Sequence, residues 1–501
     1  MVAAEARPAT RVTAGRAIPG WLVIGGGVAA TQVVALALFV GLTAPWQALP
    51  LLVGLGGAAV IMARPRLGLY VMAVVLIGQW PWNLSRYVGL IATVSALVWL
   101  LRSRRPVLPR SSILGLVLVY VILALLSAVS PATSLNITGG VLAAVSYLML
   151  GWLCVVLVDS RQVALTLVRV MIAAGLVTAL VGVAQAVTRF RWVASTYTLS
   201  PTALAVLGSS SVAAQPVGEY RIDSITGTPD YLGVTMLIIM PFMLCWLLRQ
   251  RRTRGRLLGV MGLGLLGAVI VLSFARGAWV VTPISLLLAL WMIDRKRVLP
   301  VMVAASLGLL VLMAWEPVRE RTLTMIEFLV DPEAPGWEQE AGAWRLHIIP
   351  IAIEMILARP VLGVGIDQTP HNWPASAADL VPLTVPGLAP TVHNSYLGAA
   401  IEMGLGGLAV VLALVVLTTA RLRWVAARFE DKGDVELASY ARAAFAAFAG
   451  LAIGMLFYPL LSGFRYFWLL VGLTAALIRL ERSTPHRWLR DRVSAVAGRR
   501  G

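Results

Sequence analysis

The chain has 501 residues, 59% hydrophobic and 13% charged, with a mean hydropathy of +0.85. That composition excludes a soluble globular domain and reads as an all-α, polytopic membrane protein. The net charge of +18 would suggest nucleic acid for a soluble chain. Here the arginines gather in short loops between apolar runs, as the positive-inside rule requires, so nucleic acid is not an expected partner.

Arg7, Arg11 and Arg16 precede an apolar run over 21–42 that is too long for a signal-peptide core, so it is expected to be a retained first span. Further runs follow at about 47–63, 67–82, 87–101, 112–129, 139–158, 163–187, 231–248, 257–273, 278–293, 298–315, 395–419, 443–461 and 466–480. The expectation is therefore about 14 spans, within a range of 12–14. With the N-terminus inside, Arg64 and Arg66, Arg102–Arg110, Arg161, Arg249–Arg256, Asp294–Arg297, Arg421–Arg442 and the tail all fall in the cytoplasm. The predicted organisation is N-terminal spans over 1–187, an external loop over 188–230, spans over 231–315, a large external loop over 316–394, spans over 395–480 and a basic tail over 481–501. Cys154 and Cys245 lie inside spans and form neither a metal spacing nor a disulfide framework.

The segment 316–394 is the longest break in the apolar series. It is too rich in Trp, Ile and Leu to be disordered, and long irregular loops of this kind are usually functional. Within it, Trp344–Ala358 is short for a crossing and carries Arg345, His347, Pro350 and Glu354, so it is predicted to be an interfacial helix.

External arginines run against the positive-inside rule. Arg221, Arg276, Arg345 and Arg465 all fall there. Each alone fits a side chain that snorkels to headgroups or pairs locally. Together, at the mouths of different spans, they suggest an anion site, and guanidinium forks favour phosphate or pyrophosphate. Of the four histidines, His486 lies in the tail, while His347, His371 and His393 are external. His393 opens a helix at the membrane surface and is the candidate base, against the alternative of an end residue bonded to a carbonyl. Glu402, nine residues on, either orients a base or bonds backbone. No P-loop, metal cluster, Gly-x-Ser-x-Gly or dinucleotide fingerprint is present, so an activated donor must supply the energy.

These pieces occur in a characteristic order: Arg221 with Gly227-Thr-Pro-Asp-Tyr-Leu-Gly233, Ser273-Phe-Ala-Arg276-Gly277, Arg345 with Arg359-Pro360-Val-Leu-Gly363-Val-Gly365, and His393-Asn394-Ser395-Tyr396-Leu397 with Glu402-Met-Gly404. Across about residues 190–420 the set resembles the O-antigen ligase and polymerase superfamily of bacterial polysaccharide assembly. The resemblance implies a GT-C-like glycosyltransferase of the cytoplasmic membrane, working on its outer face without metal or other cofactor. It implies an undecaprenyl-pyrophosphate-linked glycan as donor and a glycan or lipid-linked acceptor. Arg221, Arg276 and Arg345 would hold the pyrophosphate, His393 would assist the acceptor hydroxyl, and Asn394, Glu402, Gly363 and Gly365 would support them. The sequence departs from the family at Thr228-Pro229-Asp230, where Asn is commoner around the proline. Two rival readings are a transporter or flippase, and a non-catalytic subunit of an export machine. A transporter often places ionisable residues at mid-membrane and shows paired repeats, whereas these spans are almost charge-free with their polar residues at the outer mouths. Release of undecaprenyl pyrophosphate by purified protein would separate the enzyme from both rivals.

Overall fold

A computed structural model of the protein describes residues 54, 56–78, 82–103, 111–130, 138–188, 221–330, 341–374, 392–461 and 465–483. The chain divides into two units, Met1–Ala63 and Arg64–Gly501. In the first, residues 56–63 are helical. The second is built from helices α1 (Pro65–Ile77), α2 (Trp82–Ser103), α3 (Ser112–Ser127), α4 (Thr138–Leu157), α5 (Arg161–Thr188), α6 (Pro229–Leu248) and α7 (Thr253–Leu272). It continues with α8 (Arg276–Ile293), α9 (Val298–Met313), α10 (Glu316–Val330), α11 (Ala341–Ala358), α12 (Ser395–Asp431), α13 (Val435–Gly454) and α14 (Tyr466–Ser483). No strand occurs among the described residues.

Polar side chains start the apolar helices by taking up end N–H groups that lipid could not satisfy. Ser111 accepts from Leu114, Thr228 from Tyr231 ahead of Pro229, and Asp434 from Leu437. Among the described residues, eight helices are long and apolar enough to cross a membrane, and four apolar stretches are shorter. The predicted runs from 67–82 onward each coincide with a helix, while the run over 21–42 and most of that over 47–63 lie outside the described residues. The described spans therefore support a polytopic all-helical protein without reaching the expected fourteen.

Two boundaries differ from expectation. Helix α12 continues past 419 to Asp431, and α13 begins at Val435, eight residues before the predicted start. The arginines of 421–428 had marked this stretch as a loop. Yet Leu422, Val425, Ala426 and Phe429 are buried at helical spacing, so it is an amphipathic extension that stops at Gly433, whose φ is +78°.

Inside the bundle, Tyr147 stacks on Trp468 at 4.7 Å, and Tyr120 lies against both. Tyr466 donates to the Ile77 carbonyl at 3.0 Å and bonds the Thr235 hydroxyl at 2.8 Å, joining α1, α6 and α14. Helices α4 and α14 cross so closely that a Cβ on Gly472 would sit 2.9 Å from the Gly151 Cα, the small-residue contact that substitutes for a hydrophobic drive in lipid. By contrast, α9 buries none of its residues.

Candidate functional site

The local architecture begins at a break in α12. Gly404 has φ +67° and splits the helix, exposing backbone groups that need partners. The turn after α11 supplies them. Val364 donates to the Ile401 carbonyl at 2.8 Å, Gly365 to that of Glu402 at 3.0 Å, and Leu405 to that of Pro360 at 2.8 Å. This approach demands glycine on both sides. A Cβ on Gly363 would meet the Ile401 oxygen at 2.4 Å, and one on Gly404 would meet the Val361 oxygen at 2.4 Å. The end of α3 fixes the turn from behind, because Ser130 donates to the Gly363 carbonyl at 2.8 Å and Ser127 accepts from Ile366.

The break opens a cavity of about 90 Å³ whose polar lining includes Tyr120, Asp367, Thr369, Asn394 and Glu402. The Glu402 carboxylate accepts from the Thr369 hydroxyl at 3.3 Å and from the Asp367 backbone N–H. Asp367 itself stands at φ +61°, a strained conformation that Asp tolerates better than most residues. Its side chain reaches open space, yet the surrounding atoms exclude enough water to raise its carboxyl above the ordinary value, against the opposing pull of His371. Helix α11 closes one side of this region. Ile348, Ile351, Ala352 and Met355 pack with Val364, Val392 and Ile401, so the helix expected at the interface is also a wall of the site.

A second junction lies at the start of α12. Asn394 caps the helix, accepting from Tyr396 at 3.0 Å and Leu397 at 3.1 Å. Ser395 donates through its backbone N–H to the Met455 carbonyl and through its hydroxyl to that of Tyr458, and its hydroxyl accepts from Leu460. Tyr458 then reaches the first turn of α8, where its hydroxyl accepts from the Ala278 N–H at 3.1 Å. Gly277 makes this possible, since a Cβ there would lie 2.6 Å from that hydroxyl. One tyrosine thus ties the start of the Arg276 helix to the residues that follow His393.

Arg221 joins the same end through Nε to the Ser273 carbonyl at 3.1 Å and an ion pair with Asp230 at 3.1 Å. Buried Gln185 secures the following turn by accepting from the N–H groups of Asp223 and Ser224.

Of the residues singled out from sequence, Asn394 and Glu402 line the cavity, and Gly363 and Gly365 build its backbone. His393 is half-buried beside the cap, one residue from the lining. Arg276 opens α8, and Arg345 lies in the first turns of α11. Arg465 does not snorkel: it is 3% exposed and donates to Ser85 at 2.6 Å. Sequence reasoning missed Asp367, Thr369, Tyr120, Gln185 and Tyr458. Asp367 and Thr369 directly follow the glycine turn and were within reach of it. Tyr120 and Gln185 sit inside apolar runs, where no local pattern marks them. Among the described residues no cluster of His, Cys, Asp or Glu could hold a metal ion.

Fold and site together define a polytopic, all-helical membrane protein with a polar cavity at a broken helix. Residues 261–412 match the family model described as O-antigen ligase, which supports the O-antigen ligase and polymerase superfamily for this chain. The match spans Ser273–Gly277, the glycine turn, His393–Leu397 and the Gly404 break, and stops short of Arg221. No curated protein matches the chain.

Proposed function

We propose that the protein is a membrane glycosyltransferase of ligase or polymerase type. It transfers a glycan from an undecaprenyl-pyrophosphate-linked donor to an acceptor hydroxyl, on the outer face of the bacterial cytoplasmic membrane, in the assembly of lipopolysaccharide or another envelope polysaccharide. The observation that carries this reading is the Tyr458 junction, which gathers the Arg276 helix start and the residues following His393 from opposite ends of the family-matched stretch. In the proposed step the acceptor oxygen attacks the anomeric carbon and the bond from that carbon to the pyrophosphate oxygen breaks. His393 takes the acceptor proton, while Arg221, Arg276 and Arg345 hold the departing charge. Positioning and electrostatic stabilisation of the leaving group then supply most of the rate.

His393→Ala tests the reading. Turnover, followed as release of undecaprenyl pyrophosphate by purified protein, is expected to fall roughly 10²–10⁴-fold with donor affinity retained. Retained turnover with lost donor affinity would make His393 a ligand contact instead. No release by the wild-type protein would favour a transporter or a silent subunit.

A further inference from the structure

The cavity at the broken helix and the arginines around Ser273–Gly277 differ in electrostatic character. Asp367 and Glu402 are the acidic side chains among the described residues that line the cavity, and no Arg, Lys or His is among those described lining residues. A pyrophosphate there would face two carboxylates without a guanidinium, so the cavity is unsuited to the donor's anionic part.

Its hydrogen-bonding groups suit something else. Tyr120 is 2% exposed, with its ring packed on Trp468 and Tyr147, and it lines the cavity. Its phenolic hydroxyl can both donate and accept a hydrogen bond. The Asn394 oxygen is committed to capping α12, which leaves its amide nitrogen to donate. Thr369 can donate or accept, and the carboxylates accept. Between these groups stand apolar surfaces from Val392, Met403 and Leu461. Alternating donors, acceptors and apolar patches, without a cation, match a neutral ring bearing several hydroxyls.

We propose that this cavity is a sugar-binding subsite, separate from the pyrophosphate-binding arginines, with Tyr120, Asp367 and Glu402 contacting sugar hydroxyls. The proposal rests on the glycosyl-transfer reading and adds where the glycan is held. The same chemistry serves the acceptor sugar or the first sugar of the donor.

The test uses full-length protein in nanodiscs and saturation-transfer NMR with a panel of neutral methyl glycosides. At least one glycoside is expected to bind the wild type. Tyr120→Phe, which removes only the hydroxyl, and Glu402→Gln are each expected to weaken it about ten-fold or more. Neither variant should change binding of inorganic pyrophosphate, which Arg276→Ala should reduce. Preloading with undecaprenyl-pyrophosphate-linked N-acetylglucosamine separates the two sources: a glycoside that stays bound marks an acceptor subsite, and one that is expelled marks a donor-sugar subsite. The inference is overturned if no glycoside binds the wild type, if both variants bind the glycosides normally, or if either variant loses pyrophosphate as Arg276→Ala does. Glycoside binding that depends on Tyr120, in a protein that releases no undecaprenyl pyrophosphate, would sink the transfer reading and leave the subsite standing.

Discussion

Arg276 acts, in this reading, from the first position of a helix, where its guanidinium adds to the positive end of the helix dipole. Arg276→Ala is therefore expected to cost on the order of 2–4 kcal/mol in transition-state stabilisation while the protein still inserts, and Arg276→Lys to recover only part, because a point charge cannot reproduce the fork. Wild-type turnover in the alanine variant would reduce Arg276 to a structural role. Asp367 gives a different kind of prediction. Burial raises its carboxyl, so ionising it costs more in the folded protein than in the unfolded chain. Its contribution to stability is thus fully present below the unfolded value and is lost as pH rises through the higher folded one. Asp367→Asn removes that titration, and asparagine also tolerates the left-handed φ of +61°. The melting temperature of the variant relative to wild type should increase from acidic to neutral pH, while transfer falls if the carboxylate contacts substrate. A difference that shrinks with pH would mean that a neighbouring cation stabilises the carboxylate.

At the scale of elements, the broken helix shows how much could be read in advance. The sequence offered Gly363, Gly365 and Glu402-Met-Gly404 as two separate motifs, and their types were informative because glycine is costly in an apolar helix unless the backbone needs it. What could not be read was that the two motifs meet. Their contact is three backbone hydrogen bonds across roughly forty residues of chain, and backbone bonds leave no trace in side-chain pattern. The end of α12 failed for a related reason: arginines spaced around one face of a helix look the same in sequence as arginines in a loop until the buried Leu422, Val425 and Phe429 are placed. The spans themselves were legible because hydrophobicity and length are forced by the bilayer. From the contact follows a prediction about Gly404. Gly404→Ala puts an L-residue at φ +67° and ψ −171°, a region essentially reserved for glycine that costs on the order of 1–3 kcal/mol by itself, and also drives a methyl group against the Val361 carbonyl. Thermal inactivation in detergent should therefore occur at a lower temperature than for Gly406→Ala. Gly406 has only ordinary van der Waals neighbours, at 3.7 Å and beyond, and provides the control. Equal stability of the two variants would show that the turn yields without cost.

Over the whole molecule, the charged helix ends sort into two groups. Arg66 pairs with Asp159 at 2.9 Å, and Arg161 with Asp434 at 2.9 Å and with Glu436. Arg249 donates to the Val435 carbonyl, and Lys432 bonds Glu481 at the end of α14. These residues come from the clusters assigned to one face by charge parity, and they meet one another. The opposite ends of the helices carry the other group: Arg221 on Ser273, Tyr458 on Ala278, and Ser395 on the 455–460 turn. A lipid-embedded helix cannot exchange its ends between faces without drawing charged side chains through the hydrocarbon, so each group must share a side. If the arginine-rich group is cytoplasmic, as the positive-inside rule requires, the cavity and the proposed pyrophosphate arginines face outward. Single cysteines then separate the alternatives, in a background where the buried Cys154 and Cys245 are replaced by alanine. A cysteine at exposed His371, beside the cavity, should react in intact cells with a membrane-impermeant maleimide, and one at exposed Arg251, in the α6–α7 turn, should react only after the membrane is opened. The reverse pattern would place the site on the cytoplasmic face, where an outward-facing lipid-linked donor could not reach it.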